Sequence, residues 1–201
     1  MQGIKRIIIA GGVAALSLTA TASAIAAMSV PSGWYLEANL GSTHVSNQRS
    51  TGAKTSTSGI GGNADIGYKF MPYVAAEMGY TQYSNTSYKN GSGTKAATAK
   101  NYSYDLALRG ILPISSSGFE LFAKIGVDRV NNKISVNSAP AATSLGLSSS
   151  NHSATGLYVG VGGQYYVMPE LAINVQWARA NGNNTTGNFD LLSGGVSFIF
   201  D

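Results

Sequence analysis

Eight stretches of this chain alternate apolar with polar or small residues at a period of two, and nothing between them has the spacing of an amphipathic helix. They are GWYLEANLGS, IGGNADIGYKF, YVAAEMGYTQY, NYSYDLALRGIL, FELFAKIGVDRV, TGLYVGVGGQYYV, LAINVQWA and FDLLSGGVSFIF. The last keeps its pattern almost to the final residue, with Val196, Phe198 and Phe200 alternating with Ser197 and Ile199. Termini that pair with nothing fray into mobile polar tails. A patterned terminus implies a partner strand, and an even count of strands lets the last one close on the first.

The connections alternate in length. Tight turns at Met71-Pro72, Pro113 to Gly118 and Met168 to Glu170 alternate with polar links over roughly residues 43–58, 84–100, 131–153 and a shorter 181–188. Those links are rich in Ser, Thr, Asn, Gly and Lys, as water-exposed loops are. Both termini then fall on the side of the tight turns, the rhythm of an up-and-down barrel.

Alternation alone leaves open whether water or lipid lies outside, because a soluble barrel also alternates with its apolar face inward. The contents of the two faces discriminate. The face bearing Glu37, Asp65, Lys69 and Glu77 is otherwise Gly, Ala, Ser and Asn with few lysines, a poor solvated exterior but a fitting crowded lumen. On the apolar face, Trp34, Tyr68, Phe70, Phe119, Tyr165 and Phe200 fall near the tight turns or termini, and Tyr80, Tyr102, Tyr104 and Trp177 near the long links. Two aromatic bands with aliphatic residues between them match membrane-interface girdles. With about nine to eleven residues per strand, enough to cross a bilayer at a tilt, the expectation is an all-β fold: an eight-stranded antiparallel transmembrane up-and-down β-barrel over residues 28–201.

Residues 1–27 read differently. Lys5 and Arg6 precede an apolar run from Ile7 to Leu18 and then small-residue frames around Ala22, Ala24 and Ala26, the three-part plan of a secretory signal peptide cut somewhere in 24–27. Without Lys5 and Arg6 the formal charge falls from +4 to +2, so the basic balance is partly a leader effect, and no basic stripe argues for nucleic acid. The chain has no cysteine, and charged residues are only 11% of it, far below a soluble domain's usual quarter.

With these residues set out, the chain resembles the small eight-stranded outer-membrane barrels of Gram-negative bacteria, the OmpA barrel, OmpX and opacity-protein group, from GWYLEANLG to SGGVSFIF. In that family the C-terminal strand doubles as the signal read by the barrel assembly machinery: a polar residue, a glycine and spaced hydrophobics ending in an aromatic. Ser193, Gly195, Phe198 and Phe200 fit it, and Asp201 departs from it. The resemblance implies a protein of the bacterial outer membrane with both termini periplasmic, in contact with outer-membrane lipid and lipopolysaccharide.

Candidate sites divide into lumen and loops. Glu37, Asp65, Glu77, Arg109 and Lys124 lie at similar depths on the inner face, with Lys69 on the same face and Asp105, Glu120 and Asp128 toward the two mouths. Arg109 and Lys124 should pair with the carboxylates, since a buried charge without a partner is costly. Such a network serves either as a plug or, by exchanging partners, as the gate of a narrow porin-like channel. His44 and His152, with Ser46 and Ser153 nearby, are the candidates for a lipid A-modifying activity, but they form no triad by spacing. No zinc or calcium pattern appears, and the glycine groups at 59–62 and 160–163 lie within strands, so no catalytic residue, metal or cofactor is expected. Arg49, Lys54, Lys89, Lys95 and Lys100 would stand beside lipopolysaccharide phosphates or serve only solubility.

The expected function is non-enzymatic: an outer-membrane surface protein whose four extracellular loops serve envelope integrity and adhesion, or contact with a host or matrix ligand. The narrow channel is the alternative, and the lipid A-modifying enzyme stands behind it. Intact-mass measurement of the exported protein is expected to place the mature N-terminus at Ala27 or Met28; a mass retaining Lys5 and Arg6 would refute the leader.

Overall fold

The sheet closes through its two terminal strands. In the computed structural model, β1 (Gly33–Ser46) runs antiparallel to β10 (Asn188–Phe200), in register from Trp34 opposite Phe200 to Ser46 opposite Asn188. The C-terminal alternation therefore continues because every residue of that strand is paired. The structure describes residues 32–46, 54–55, 58–89, 95–114, 117–137, 143, 149–183 and 186–200. The expected leader, Asp201 and much of the long links lie outside the described residues.

The remaining wall strands are β3 (Ser58–Met71), β4 (Val74–Gln82), β6 (Lys95–Ile114), β7 (Phe119–Val136), β8 (Ser150–Tyr166) and β9 (Leu171–Ala180). Neighbours pair antiparallel in the order β6-β4-β3-β1-β10-β9-β8-β7, and β7 returns to β6, so eight strands form a closed ring. Two short strands, β2 (Lys54–Thr55) and β5 (Thr86–Lys89), add to the loop end beside β6 and stand outside the ring. At the turn end, Gly118 adopts φ 74°, a left-handed conformation that suits glycine, and Ser117 Oγ donates to the Ile114 carbonyl at 2.6 Å.

Strand lengths depart from expectation. β4 and β9 have 9 and 10 residues, but β6, β7 and β8 have 20, 18 and 17. Residues 95–100, 131–136 and 150–153, read from sequence as link, are paired strand, with Lys100 opposite Lys133 and Asn132 opposite His152. The reason is physical: beyond the bilayer both faces of a strand meet polar surroundings, so the apolar contrast that reveals a strand disappears while backbone pairing continues.

Alternation sorts the side chains as the closed ring requires. Outward residues include Leu40 and Ile60, 74% and 83% exposed, values tolerable over a whole wall only against lipid. Inward residues fill the lumen in three layers. At the turn end Tyr35, Ile111, Phe122, Tyr166 and Ile199 form one buried apolar cluster, and at the loop end Val45, Tyr83, Val130, Tyr158, Phe189 and Leu191 belong to a second. Between them lies a polar layer. Deleting residues 198–201 removes the pairings to Trp34, Tyr35 and Leu36 and is expected to abolish closure, read as loss of the compact, protease-resistant species on unheated SDS gels; an unchanged species would contradict this role for the last pairs.

Candidate functional site: a charged layer in the lumen

The alternation of β1, β3, β4, β6 and β7 carries Glu37, Asp65, Glu77, Arg109 and Lys124 to one depth inside the ring, each at most 4% exposed. Arg109 Nη1 stands 2.7 Å from Glu37 Oε2 and 3.6 Å from Glu77 Oε2. Lys124 Nζ stands 2.7 Å from Glu77 Oε1 and 3.4 Å from both Glu37 Oε1 and Asp65 Oδ2. Two cations are thus held among three carboxylates. Each cation touches more than one acid, so ordering one side chain serves several contacts, while Arg109 Nε and Asp65 Oδ1 are buried without a hydrogen-bond partner.

Neutral residues connect this cluster to its surroundings. Arg109 Nη2 donates to Gln164 Oε1 at 2.5 Å, Gln164 Nε2 donates to Glu120 Oε2 at 2.6 Å, and Lys69 Nζ lies 3.3 Å from Glu120 Oε1. Lys69 and Glu120 therefore form a second pair nearer the turn end, joined to the first through Gln164. Asn39 and Asn63 donate to Glu37 and Asp65 at 3.0 and 2.6 Å. Asp105 and Asp128 are buried opposite each other across β6 and β7, but among the described residues they join none of the lumen's ion pairs. The expected network accordingly divides into a five-membered cluster, a second pair and two carboxyls apart from both. Gln164, Asn39 and Asn63 are members that charge counting missed; their inward position at the same depth was the available clue.

Two glycines give the layer its shape. Gly67 lies opposite Tyr35, whose ring covers the place a Cβ would occupy and whose hydroxyl donates to Glu77 Oε2 at 2.8 Å. Gly162 lies opposite Phe122, whose ring likewise fills that space and lies 3.7 Å below the Arg109 guanidinium. Each glycine lets an aromatic ring lie along the wall, and each ring then supports one member of the charged cluster.

The ten outward aromatics named from the sequence all stand on the outer wall. Trp34, Tyr68 and Phe70 meet edge-on at 5.3 and 5.1 Å near the turn end, while Tyr80, Tyr102 and Tyr104 group at 5.3–6.1 Å near the loop end. In the last strand Phe198 and Phe200 face outward, Ser193 faces inward, and Gly195 lies where a Cβ would strike the Ala38 carbonyl oxygen. His44 is exposed, and its Nδ1 stands 3.0 Å from Ser58 Oγ rather than meeting Ser46. Asp190, opposite His44 in register, is held by Arg179 at 2.7 and 2.9 Å, so the carboxylate that would orient an imidazole is committed elsewhere. His152 lies opposite Asn132, and Ser153 accepts from Arg129 at 3.2 Å.

Replacing Arg109 by Met leaves buried carboxylates short of a partner, a loss expected to cost about 3–5 kcal/mol in urea unfolding from detergent micelles. Adding Glu37→Gln to that variant is expected to restore part of it. Gly67→Val, which forces the Tyr35 ring off Glu77, is expected to cost about 1–3 kcal/mol as an overpacked site. Unfolding unchanged in all three variants would show the layer to be energetically idle.

Comparison with curated sequences finds none that matches. The family model described as outer membrane protein beta-barrel domain matches residues 12–200. Among solved structures, Neisserial surface protein A is similar with 22% identity and a TM-score of 0.56, covering 84% of this chain and 97% of that one. The outer membrane protein OprG from Pseudomonas aeruginosa has 14% identity and a TM-score of 0.57, covering 84% and 97%. Ail, the attachment invasion locus protein of Yersinia pestis, in complex with the heparin analogue sucrose octasulfate, has 14% identity and a TM-score of 0.50, covering 83% and 99%. These likenesses agree with the ring of eight strands, and with 189 of 201 residues inside the family match, the chain belongs to the outer membrane protein beta-barrel domain family and is a bacterial outer-membrane β-barrel.

Proposed function

We propose that this barrel works at its surface: it presents its four long links to the cell exterior, with both termini periplasmic, and serves envelope integrity and adhesion or contact with a host or matrix ligand. The observation that carries the reading is the crowded lumen, in which an ion-paired layer lies between two clusters of buried apolar side chains. An interior of eight strands has room for side chains and little else, so the variable chemistry of the chain is in the links. In this reading residues 1–27 are a cleaved leader, the last strand is read by the barrel assembly machinery, and His44 has no catalytic part. Ail, similar in fold, is named an attachment invasion locus protein and was solved with a heparin analogue, a precedent for ligand contact on such a scaffold.

The alternative, a narrow channel, draws on the lumen's acid excess: six carboxylates against Lys69, Arg109 and Lys124. Two measurements separate the readings. Replacing residues 138–148 and 90–94 by short Gly-Ser turns is expected to reduce attachment of expressing bacteria to host cells or matrix severalfold while the barrel still assembles. The refolded wild-type protein is expected to stay silent in a planar bilayer. Steady openings altered by Arg109→Ala, with attachment unaffected by the loop replacements, would give the channel the primary role. Loss of a lipid A modification on His44→Ala would refute the non-enzymatic reading.

A further inference from the structure

Register sets four inward positions side by side in the lumen. Asp65 lies opposite Gly79, Gly79 opposite Asp105, and Asp105 opposite Asp128. The three acids of this row are each at most 4% exposed, and like charges facing one another across strands repel. Burial strengthens that repulsion, because the screening solvent is gone.

Two of these acids meet over Gly79. A Cβ at that position would be overlapped by Asp65 Oδ1 and by both Asp105 carboxylate oxygens, so the carboxylates of the two flanking strands lean over the same glycine. The Asp65 carboxylate is divided between two neighbours: Oδ2 faces Lys124 and accepts from Asn63, while Oδ1 is buried without a partner on the side shared with Asp105. Both oxygens of Asp105 are likewise buried without a partner.

The chain supplies no further cation to them. Lys69 is engaged with Glu120, and Arg109 and Lys124 with Glu37, Glu77 and the other oxygen of Asp65. Among the described residues no other Lys or Arg is buried, so six lumen carboxylates face three cations. The buried donors that lack an acceptor, Arg109 Nε and Asn174 Nδ2, stand in rows nearer the turn end, in register with Lys124 and Gln164. The row of Asp65 and Asp105 is therefore short of positive charge at a place where buried oxygens converge.

The open atoms determine the kind of ion. They are carboxylate oxygens, the chain has no cysteine and both histidines are exposed, and an oxygen-only set selects a hard cation over zinc or copper. Oxygens that overlap one Cβ position are separated by no more than about 5 Å, a gap that a calcium ion spans at about 2.3–2.6 Å from each. Calcium tolerates the irregular geometry that paired strands impose, whereas magnesium demands a near-ideal octahedron. Among the described residues no group of three His, Cys, Asp or Glu side chains is disposed around one metal ion, so two carboxylates bind and water completes the coordination.

We propose that Asp65 Oδ1 and the Asp105 carboxylate bind one calcium ion over Gly79, with Asp128 adding its charge from the neighbouring strand. No calcium-loop spacing shows in the sequence because the ligands come from β3 and β6, which have β4 between them. Buried apolar side chains cluster on the loop side of this row, so the ion enters while the barrel closes and is then held. The site is independent of which way the links face and of what they bind.

The test refolds the mature barrel in zwitterionic detergent, free of lipopolysaccharide, with either calcium at about 1 mM or EGTA present throughout. Metal analysis after gel filtration in EGTA is expected to find about one calcium per barrel refolded with the ion, and that protein to unfold in urea roughly tenfold more slowly than the calcium-free one. The D105N variant is expected to retain no calcium and to unfold at one rate in both preparations. In EGTA it is expected to outlast wild type, because a repelling buried charge is gone. E170Q, in an exposed turn, retains the ion as wild type does. Wild type that holds no calcium after refolding with it overturns the proposal without need of any variant, as does equal retention by D105N. Unfolding that follows pH but not calcium would make a shared proton the link between Asp65 and Asp105, and magnesium retained in place of calcium from an equimolar mixture would reassign the ion; either result overturns it.

Discussion

Every backbone N–H and C=O that enters hydrocarbon must find a partner within the protein, since each one left open costs several kcal/mol. The other features of this structure follow from that constraint. It requires β10 to lie against β1 and so keeps the C-terminal residues patterned to Phe200. Closure then reverses the usual address of residue types: leucines and isoleucines go outside, and the charged residues of the same strands are driven into a space without bulk water. The ion-paired layer is the consequence. Glu37, Asp65 and Glu77 hold Arg109 and Lys124 because inward positions of five successive strands around the ring bring them to one depth, where each buried charge needs a partner.

The wall strands and their facing were legible because period two is strong wherever one face meets lipid and the other a crowded lumen. The inward position of all nine lumen charges and the outward position of all ten aromatics came from that one pattern. Partner choice was not legible. That Lys124 spans three carboxylates while Asp105 and Asp128 stand apart depends on the stagger between strands, which sequence spacing does not contain. The same stagger sets Ser58, and not Ser46, beside His44. Strand ends beyond the bilayer were invisible for the opposite reason: residues 131–136 alternate between two polar environments, so composition does not distinguish strand from link.

Aromatic residues have two separate employments here. Outside, Trp34 with Tyr68 and Tyr80 with Tyr104 mark the two edges of the apolar wall. Inside, Tyr35 and Phe122 lie over Gly67 and Gly162 and present an acceptor-facing hydroxyl and a ring face to the ions. Gly67 and Gly162 thus make room for rings within a narrow ring of eight strands, and at these two places the lumen is packed by pairing an absent side chain on one strand with a large one on the next.

The unequal strands have a geometric consequence. β6, β7 and β8 rise well past their neighbours, while β4 and β9 end near the aromatic rows. The rim is therefore a slope with one tall side, and a nearly round barrel acquires a front and a back. Rotation about the membrane normal then changes what the molecule presents to anything approaching from the side. The tall side is also already ordered by its cross-strand pairs, so a contact made there demands less loss of chain freedom than one made by a free loop of the same reach.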